Sequence, residues 1–324
     1  MNIKKYFELE KDSSRGLMPM EWVIIAYMAF TLVIVLLGKT KLENPDAMIW
    51  GRLRMGAITM GMWAVYRLLP CRVTRLLRIV LQFSMLSWWY ADTYYLNCLF
   101  SNLDHIFARA EEALFGFQPA LVFAEKMPQI FFSELMDMAY ASYFPIIATV
   151  TFYYFFKRYR EFERTAFIIL ASFFSFYAIY AVLPVTGPMY YYPAIGLNQV
   201  VNGVFPAVGD YFRTHSEMME SPGYKDGLFY YLVTAAHDAG EHPTAAFPSS
   251  HVGISVVCLL LAWRSGSRKL FFWLLPFATL ICFATVYIRA HYVIDVFAGL
   301  AFGVAFFYLW SCVSKGSKNR RPCK

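Results

Sequence analysis

Apolar residues along the chain gather into runs separated by short polar or basic segments. A helix crossing a bilayer core needs about 17–25 predominantly apolar positions. Runs of this order fall at 22–38, 55–70, 75–97, 134–156, 165–184, 249–264, 270–287 and 291–312, the second and sixth being short. They predict an all-α polytopic membrane bundle of about eight transmembrane helices, the architecture that satisfies every backbone group within its own segment. Two long segments interrupt the pattern. Residues 99–133 interleave acids with apolar and aromatic positions (LDHIFARAEEALFGF), which suits a helix lying in the membrane interface. Residues 185–248 carry Gly, Pro, Asn and Tyr and read as a partly ordered cap. The run at 22–38 is too long for the apolar region of a signal peptide, and KTKLENP follows it in place of a small-residue cleavage site. It reads as a retained span.

Composition supports this picture. Of 324 residues, 59% are hydrophobic and 16% charged, with a mean hydropathy of +0.44; an ordinary soluble domain is about 45–50% apolar and about 25% charged. Trp22, Trp88, Trp89, Tyr94, Tyr95 and Trp310 sit near span ends, as interfacial aromatics do. The net charge of +7 comes in short basic blocks between apolar runs, which reads as a topology signal and not as a nucleic-acid-binding stripe. With both termini inside, the inside segments hold 20 Lys and Arg and the outside segments 9, together all 29. That bias favours cytoplasmic termini. Residues 313–324 form a short basic tail suited to anionic inner-leaflet lipid. The six cysteines show no disulfide framework.

Within the apolar pattern, YIRAHYVIDVFAG (287–299) places three ionisable side chains where burial is costly. In a helix beginning near 291, His291 and Asp295 share a face four residues apart. The carboxylate can accept the imidazole Nδ1–H, leaving Nε2 to attack or to shuttle a proton. Arg289 offers a planar fork for phosphate oxygens. A second cluster, TAAFPSSHVG (244–253), puts Pro248 at the expected first turn of the sixth span, hydroxyls at Ser249 and Ser250, and His251 in that first turn. The backbone N–H groups there favour an anion. Both histidines open toward the outside, so one can attack a phosphorus while the other protonates the leaving oxygen.

FPSSH resembles the P-S-G-H motif of the type-2 phosphatidic acid phosphatase superfamily, with Ser250 in place of glycine, and RAHYVIDV resembles that superfamily's last motif. The phosphatases place their arginine six residues before the histidine; here a single residue separates Arg289 from His291. The HY-x-x-DV form is more similar to the branch of sphingomyelin synthases and inositol phosphorylceramide synthases, as is PVTGPMYYYP (184–193). The resemblance covers roughly 165–312. It implies His291 as nucleophile forming a phosphohistidine, Asp295 as its partner, His251 as the acid for the leaving group, phosphate held by Ser249, Ser250 and Arg289, and no metal or other cofactor. It also implies a division into N-terminal helices with the interfacial segment, 1–132, and a catalytic membrane core, 133–324, with the outer loop 185–248. The phosphatases carry an upstream K-x6-R-P motif; Lys157 to Arg164 has that spacing but is followed by Thr165 and falls on the cytoplasmic side, so it is set aside.

Asp92, Glu134 and Asp137 lie near outer span ends, where acids can bind sugar hydroxyls or an amine, or cap interface helices. Asp92, Asp137 and Tyr190 are candidate headgroup contacts, although the YYYP stretch also reads as core and interface packing. HDAGEH (237–242) departs from the zinc signatures in spacing and reads as a polar loop. The resemblance thus implies an outer-leaflet phosphotransferase that moves a phosphoinositol-like headgroup from a phospholipid donor to a lipid alcohol, such as ceramide or diacylglycerol. The alternatives are a lipid phosphate phosphatase, in which water replaces the acceptor, and a lipid carrier; few charges in the inner halves of the spans disfavour the carrier. Compact loops and short termini fit a bacterial inner membrane with the site facing the periplasm.

Overall fold

The computed structural model describes residues 4–10, 16–238 and 242–318. All regular secondary structure among the described residues is helical, with no strand among them. The N-terminal group comprises α1 (Lys4–Phe7), α2 (Pro19–Leu37), α3 (Pro45–Leu68), α4 (Arg72–Ser84) and α5 (Leu86–Asn97). Two short helices follow, α6 (Asp104–Phe115) and α7 (Pro119–Lys126), where the interfacial helix is expected. Then come α8 (Ile130–Ala141), α9 (Tyr143–Lys157) and α10 (Tyr159–Tyr180). The cap carries α11 (Pro188–Ile195), α12 (Leu197–Val201), a 3-10 turn at Tyr211–Arg213 and α13 (Leu228–Asp238). The chain ends in α14 (Ser250–Arg264), α15 (Arg268–Tyr287) and α16 (Val293–Lys318).

Several apolar helices mark this as a membrane protein, and among the described residues fewer than the expected eight are long and apolar enough to cross. Four helices are long and apolar enough to cross, namely α2, α10, α15 and α16 up to Lys315. The pair α8–α9, bent by 44°, makes a fifth if taken as one span. Three other expected runs differ for identifiable reasons. α14 is apolar but has only 15 residues. The run at 75–97 is divided at Met85 into α4 and α5. α3 starts at Pro45, ten residues before the expected run, because Asn44 caps it and Pro45 supplies its first position.

α3, α4 and α5 carry charges that lower their hydropathy, and three of these are matched inside the bundle. Arg52 of α3 makes a two-pronged pair with Asp92 of α5 (3.1 and 2.6 Å), both side chains almost fully buried. Arg78 of α4 pairs with Glu21 of α2, both with no exposure. Paired charges of this kind sit in a bundle interior at a small fraction of the cost of isolated ones. α10 is the central post: 72% of its apolar stretch is buried inside the protein, against 28% for α16.

The HDAGEH stretch falls partly outside the described residues, and so does the end of the basic tail. His242 at its edge stacks on Tyr94, with ring centroids 4.8 Å apart.

Candidate active site

α14 and α16 pack on each other more extensively than any other pair, through glycines. A Cβ at Gly299 would sit 2.5 Å from the Ser249 carbonyl oxygen, and one at Gly303 would sit 2.5 Å from that of Gly253. The backbones therefore touch where the side chains vanish, as small residues four apart allow in membrane helices. Gly299-x-x-x-Gly303 is plain in the sequence, and it is the signal that reasoning from histidines alone passes over. This contact registers the start of α14, with its His251, against the start of α16 and the turn that carries His291. The Ser249 N–H donates to the Asp295 carbonyl (3.0 Å), which locks the register.

The helix start differs from expectation in two places. α14 begins at Ser250, so Pro248 precedes the helix, and Ser249 is its N-cap, accepting from Val252 N–H (3.4 Å). The Ser250 N–H is taken by the Tyr180 hydroxyl (2.9 Å), which itself donates to the Pro248 carbonyl (2.7 Å). Protein groups thus occupy part of the donor set the sequence offered to an anion. Ser249 has no exposure, whereas Ser250 lines the cavity described below.

α16 begins at Val293, so His291 lies in the turn before the helix and not in its first turn. Its Nδ1 sits 2.7 Å from the Ala246 carbonyl oxygen, with Asp295 Oδ2 farther away at 3.5 Å. A carbonyl can only accept, so Nδ1 carries the proton and the neutral ring keeps its lone pair on Nε2. The tautomer expected from Asp295 is therefore held chiefly by a main-chain carbonyl. Asp295 accepts the Tyr292 N–H (2.9 Å), which holds its carboxyl beside the ring. Among the described residues, Ala245 and Arg289 are the two non-glycines with positive φ, each +68°. One immediately precedes the accepting carbonyl and the other lies two residues before the histidine. Left-handed backbone costs an ordinary residue about 1–2 kcal/mol, and its concentration on both sides of one hydrogen bond is the pattern of a site held in place by its surroundings.

His251 faces His291 with ring centroids 5.9 Å apart. Tyr140 stacks on His251 at 4.7 Å and Tyr143 lies against it at 4.3 Å, the two tyrosines flanking the bend between α8 and α9. A cavity opens onto both imidazoles and is lined by Tyr90, Tyr140, Thr186, Met189, Tyr190, Thr244 and Ser250, among others. Tyr190 is thus beside the histidines. Asp92 is not: both its oxygens are engaged by Arg52. Glu134 receives the Phe229 and Tyr230 N–H groups (3.2 Å each) and caps α13. Arg289 turns away from the cavity and donates through Nη1 to the Glu220 carbonyl (3.3 Å) of the cap. Arg164 reaches Ser314 Oγ (2.8 Å) and the Ser311 carbonyl (2.9 Å). That is roughly 27 Å along α16 from its first residue, at 1.5 Å per residue. Lys157 and Arg164 therefore lie at the end opposite the histidines.

Two acids missed in the sequence support the site from behind. Asp104, fully buried at the start of α6, accepts from Asn102 Nδ2 (2.6 Å), Thr186 N (2.7 Å) and Oγ1 (2.9 Å), Gly187 N (2.8 Å) and the Tyr292 hydroxyl (3.1 Å). Burial raises its pKa, and these donors oppose the shift. Gly187 has φ +92°, and a Cβ there would lie 2.5 Å from the Ala290 carbonyl, so PVTGPM packs directly on the histidine turn. Glu111 of α6 accepts from Val293 N–H at the start of α16, and burial pushes its carboxyl up to about 8. Neither acid belongs to a short motif; both lie in the amphipathic segment read only as interfacial. These bonds join 99–133 to the helices that follow it. Among the described residues, no group of three or more His, Cys, Asp or Glu side chains is placed to hold a metal ion.

Fold and site together define a helical membrane protein with two opposed histidines at the mouth of its bundle. The sequence profile of the PAP2 superfamily matches residues 105–309, well over half of the chain, and the protein belongs to that superfamily. Membership is consistent with phosphatase or phosphotransferase chemistry on phosphate esters and does not distinguish branches within the superfamily. Comparison with curated proteins and with solved structures returns no match.

Proposed function

We propose that the protein transfers a phospho-headgroup from a phospholipid to a lipid alcohol such as ceramide or diacylglycerol, at the outer side of the membrane, through a covalent intermediate on His291. The observation that carries this reading is the pair of imidazoles 5.9 Å apart on one cavity, with the His291 tautomer fixed by the Ala246 carbonyl. In the first step Nε2 of His291 attacks phosphorus, the bond to the diacylglycerol oxygen breaks, and His251 gives that oxygen its proton. The positive charge that grows on His291 is stabilised by Asp295 at 3.5 Å. In the second step His251, now neutral, takes the proton of the acceptor hydroxyl as its oxygen attacks the phosphohistidine, and the N–P bond breaks.

The choice of an alcohol over water rests on enclosure. His291 is only 4% exposed, the rings of Tyr140 and Tyr143 cover His251, and α11 and the 184–190 segment lie across the cavity. An enclosed aromatic site lengthens the life of a hydrolysable intermediate. The test is incubation of the purified protein with labelled phospholipid, with and without ceramide or diacylglycerol. A new phosphodiester lipid that requires both acceptor and His291 supports transfer. Free phosphate released from a lipid phosphate regardless of acceptor makes the protein a phosphatase.

A further inference from the structure

The cap segment 219–224 lies over a set of polar atoms that no catalytic step above uses. Three hydrogen bonds pin it down: Met219 N–H to the Met189 carbonyl (2.8 Å), Arg289 Nη1 to the Glu220 carbonyl (3.3 Å) and Tyr224 N–H to Ser133 Oγ (3.0 Å). Beneath it stands Asp137 of α8, with no exposure and with neither carboxyl oxygen hydrogen-bonded. Gly223, at φ +128°, passes so close that a Cβ there would be 3.5 Å from Asp137 Oδ2. The Ser221 hydroxyl and the Arg289 Nε–H are buried in the same region and also lack partners. Buried polar atoms in native proteins are nearly always satisfied, so three such atoms under one short segment and a fourth on it point to a missing ligand. The place adjoins the cavity: Tyr140 is three residues along α8 from Asp137, and Ala290 follows Arg289, both lining it.

The chemistry of the unsatisfied atoms selects the ligand. A phosphate would need donors only and an ammonium acceptors only. Here two carboxyl oxygens accept, a guanidinium N–H donates, and a serine hydroxyl does both. The complement is a group that donates and accepts from neighbouring atoms, namely a hydroxyl-bearing headgroup. We propose that Asp137, Ser221 and the Arg289 Nε–H, roofed by residues 219–224, form a headgroup subsite that reads hydroxyls next to the transferred phosphate. It rests on the transfer reading for the position of that phosphate and assigns Asp137 as a specificity-determining residue.

Equilibrium binding to the full chain in detergent, with His291→Ala present to prevent turnover, tests it. The probes are dihexanoyl phosphatidylglycerol and dihexanoyl phosphatidylmethanol, which share one negative charge and differ in headgroup hydroxyls. The glycerol lipid is expected to bind roughly tenfold more tightly, the scale of a hydrogen bond to a charged group. Asp137→Asn, close to isosteric, should erase most of that ratio, and Ser221→Ala on the roof should reduce it severalfold. Equal affinity for the two lipids, including none for either, overturns the proposal. So does a ratio untouched by both substitutions, or tightest binding of the dihexanoyl ethanolamine lipid, which would mark a cation site. Failure of the transfer reading looks different: hydroxyl selectivity would persist while the wild-type chain forms no product.

Discussion

The N-terminal helices α2–α5 and the stretch from α6 onward both bury charged groups, and only the second leaves buried carboxyl oxygens without a partner among the described residues. In the first, Glu21 and Asp92 have all four carboxyl oxygens hydrogen-bonded, to Arg78, Met18 N–H and Arg52. In the second, Asp137, Glu111 Oε2 and Asp295 Oδ1 account for every buried carboxyl oxygen without a partner among the described residues. Residues of all three acids lie within the stretch that matches the superfamily. Burial of charge alone therefore does not mark function. What separates the regions is the presence of unmatched acids beside matched ones such as Asp104, because an unmatched buried acid persists only where something else selects for it.

The largest effect is expected at the histidine turn. His291→Ala should lower phosphotransfer by at least about 10⁴-fold, as loss of a nucleophile does, with the fold retained in thermal unfolding. Gly299→Ala tests the register between α14 and α16. Its Cβ would need to displace the Ser249 carbonyl from 2.5 Å, so the histidines should separate and kcat should fall roughly 10–100-fold, with a smaller change in KM. Matched charge should behave differently. Arg52→Ala leaves Asp92 buried and alone, and should lower stability by about 3–5 kcal/mol while activity per folded molecule holds. Replacing the pair together, Arg52→Met with Asp92→Leu, should restore most of that stability in the same unfolding assay.

Glu111 gives the most gradual and most diagnostic change. Its carboxyl is pushed up to about 8 by burial. Between the ordinary carboxylate range and that value the unfolded chain has lost a proton that the folded chain keeps. Stability should therefore fall as pH rises from about 4.5 to about 8, by at most about 1.4 kcal/mol per pH unit, and level off above. Glu111→Gln cannot ionise and should flatten that segment of the curve of unfolding temperature against pH.

Much of this was legible in the residues. The apolar runs located most helices, and HYVID with FPSSH located the two histidines that share the cavity. Hydropathy marks about eight runs, of which four or five form helices long and apolar enough to cross; it cannot show that Arg52, Arg78, Glu21 and Asp92 are paired, because their partners lie 40 or 57 residues away. The partner of His291 Nδ1 could not be read because backbone carbonyls have no letter, and Ala246 enters only through the fold. Arg289 looked like a phosphate clamp by its neighbours. Its positive φ sends the side chain to the cap, and no pattern signals a left-handed arginine. Asp104 and Glu111 sat in a segment whose alternation of acids and apolar residues marks only an interfacial helix.

The central claim is a covalent intermediate on His291, and mass spectrometry tests it most directly. Wild-type protein would be mixed with a short-chain phospholipid in the absence of acceptor alcohol, quenched at alkaline pH, and its peptides mapped. The account predicts an acid-labile phospho-headgroup adduct on His291 that disappears when the lipid alcohol is added before the quench. An adduct on another residue, or product formed at the wild-type rate by His291→Ala, would contradict it.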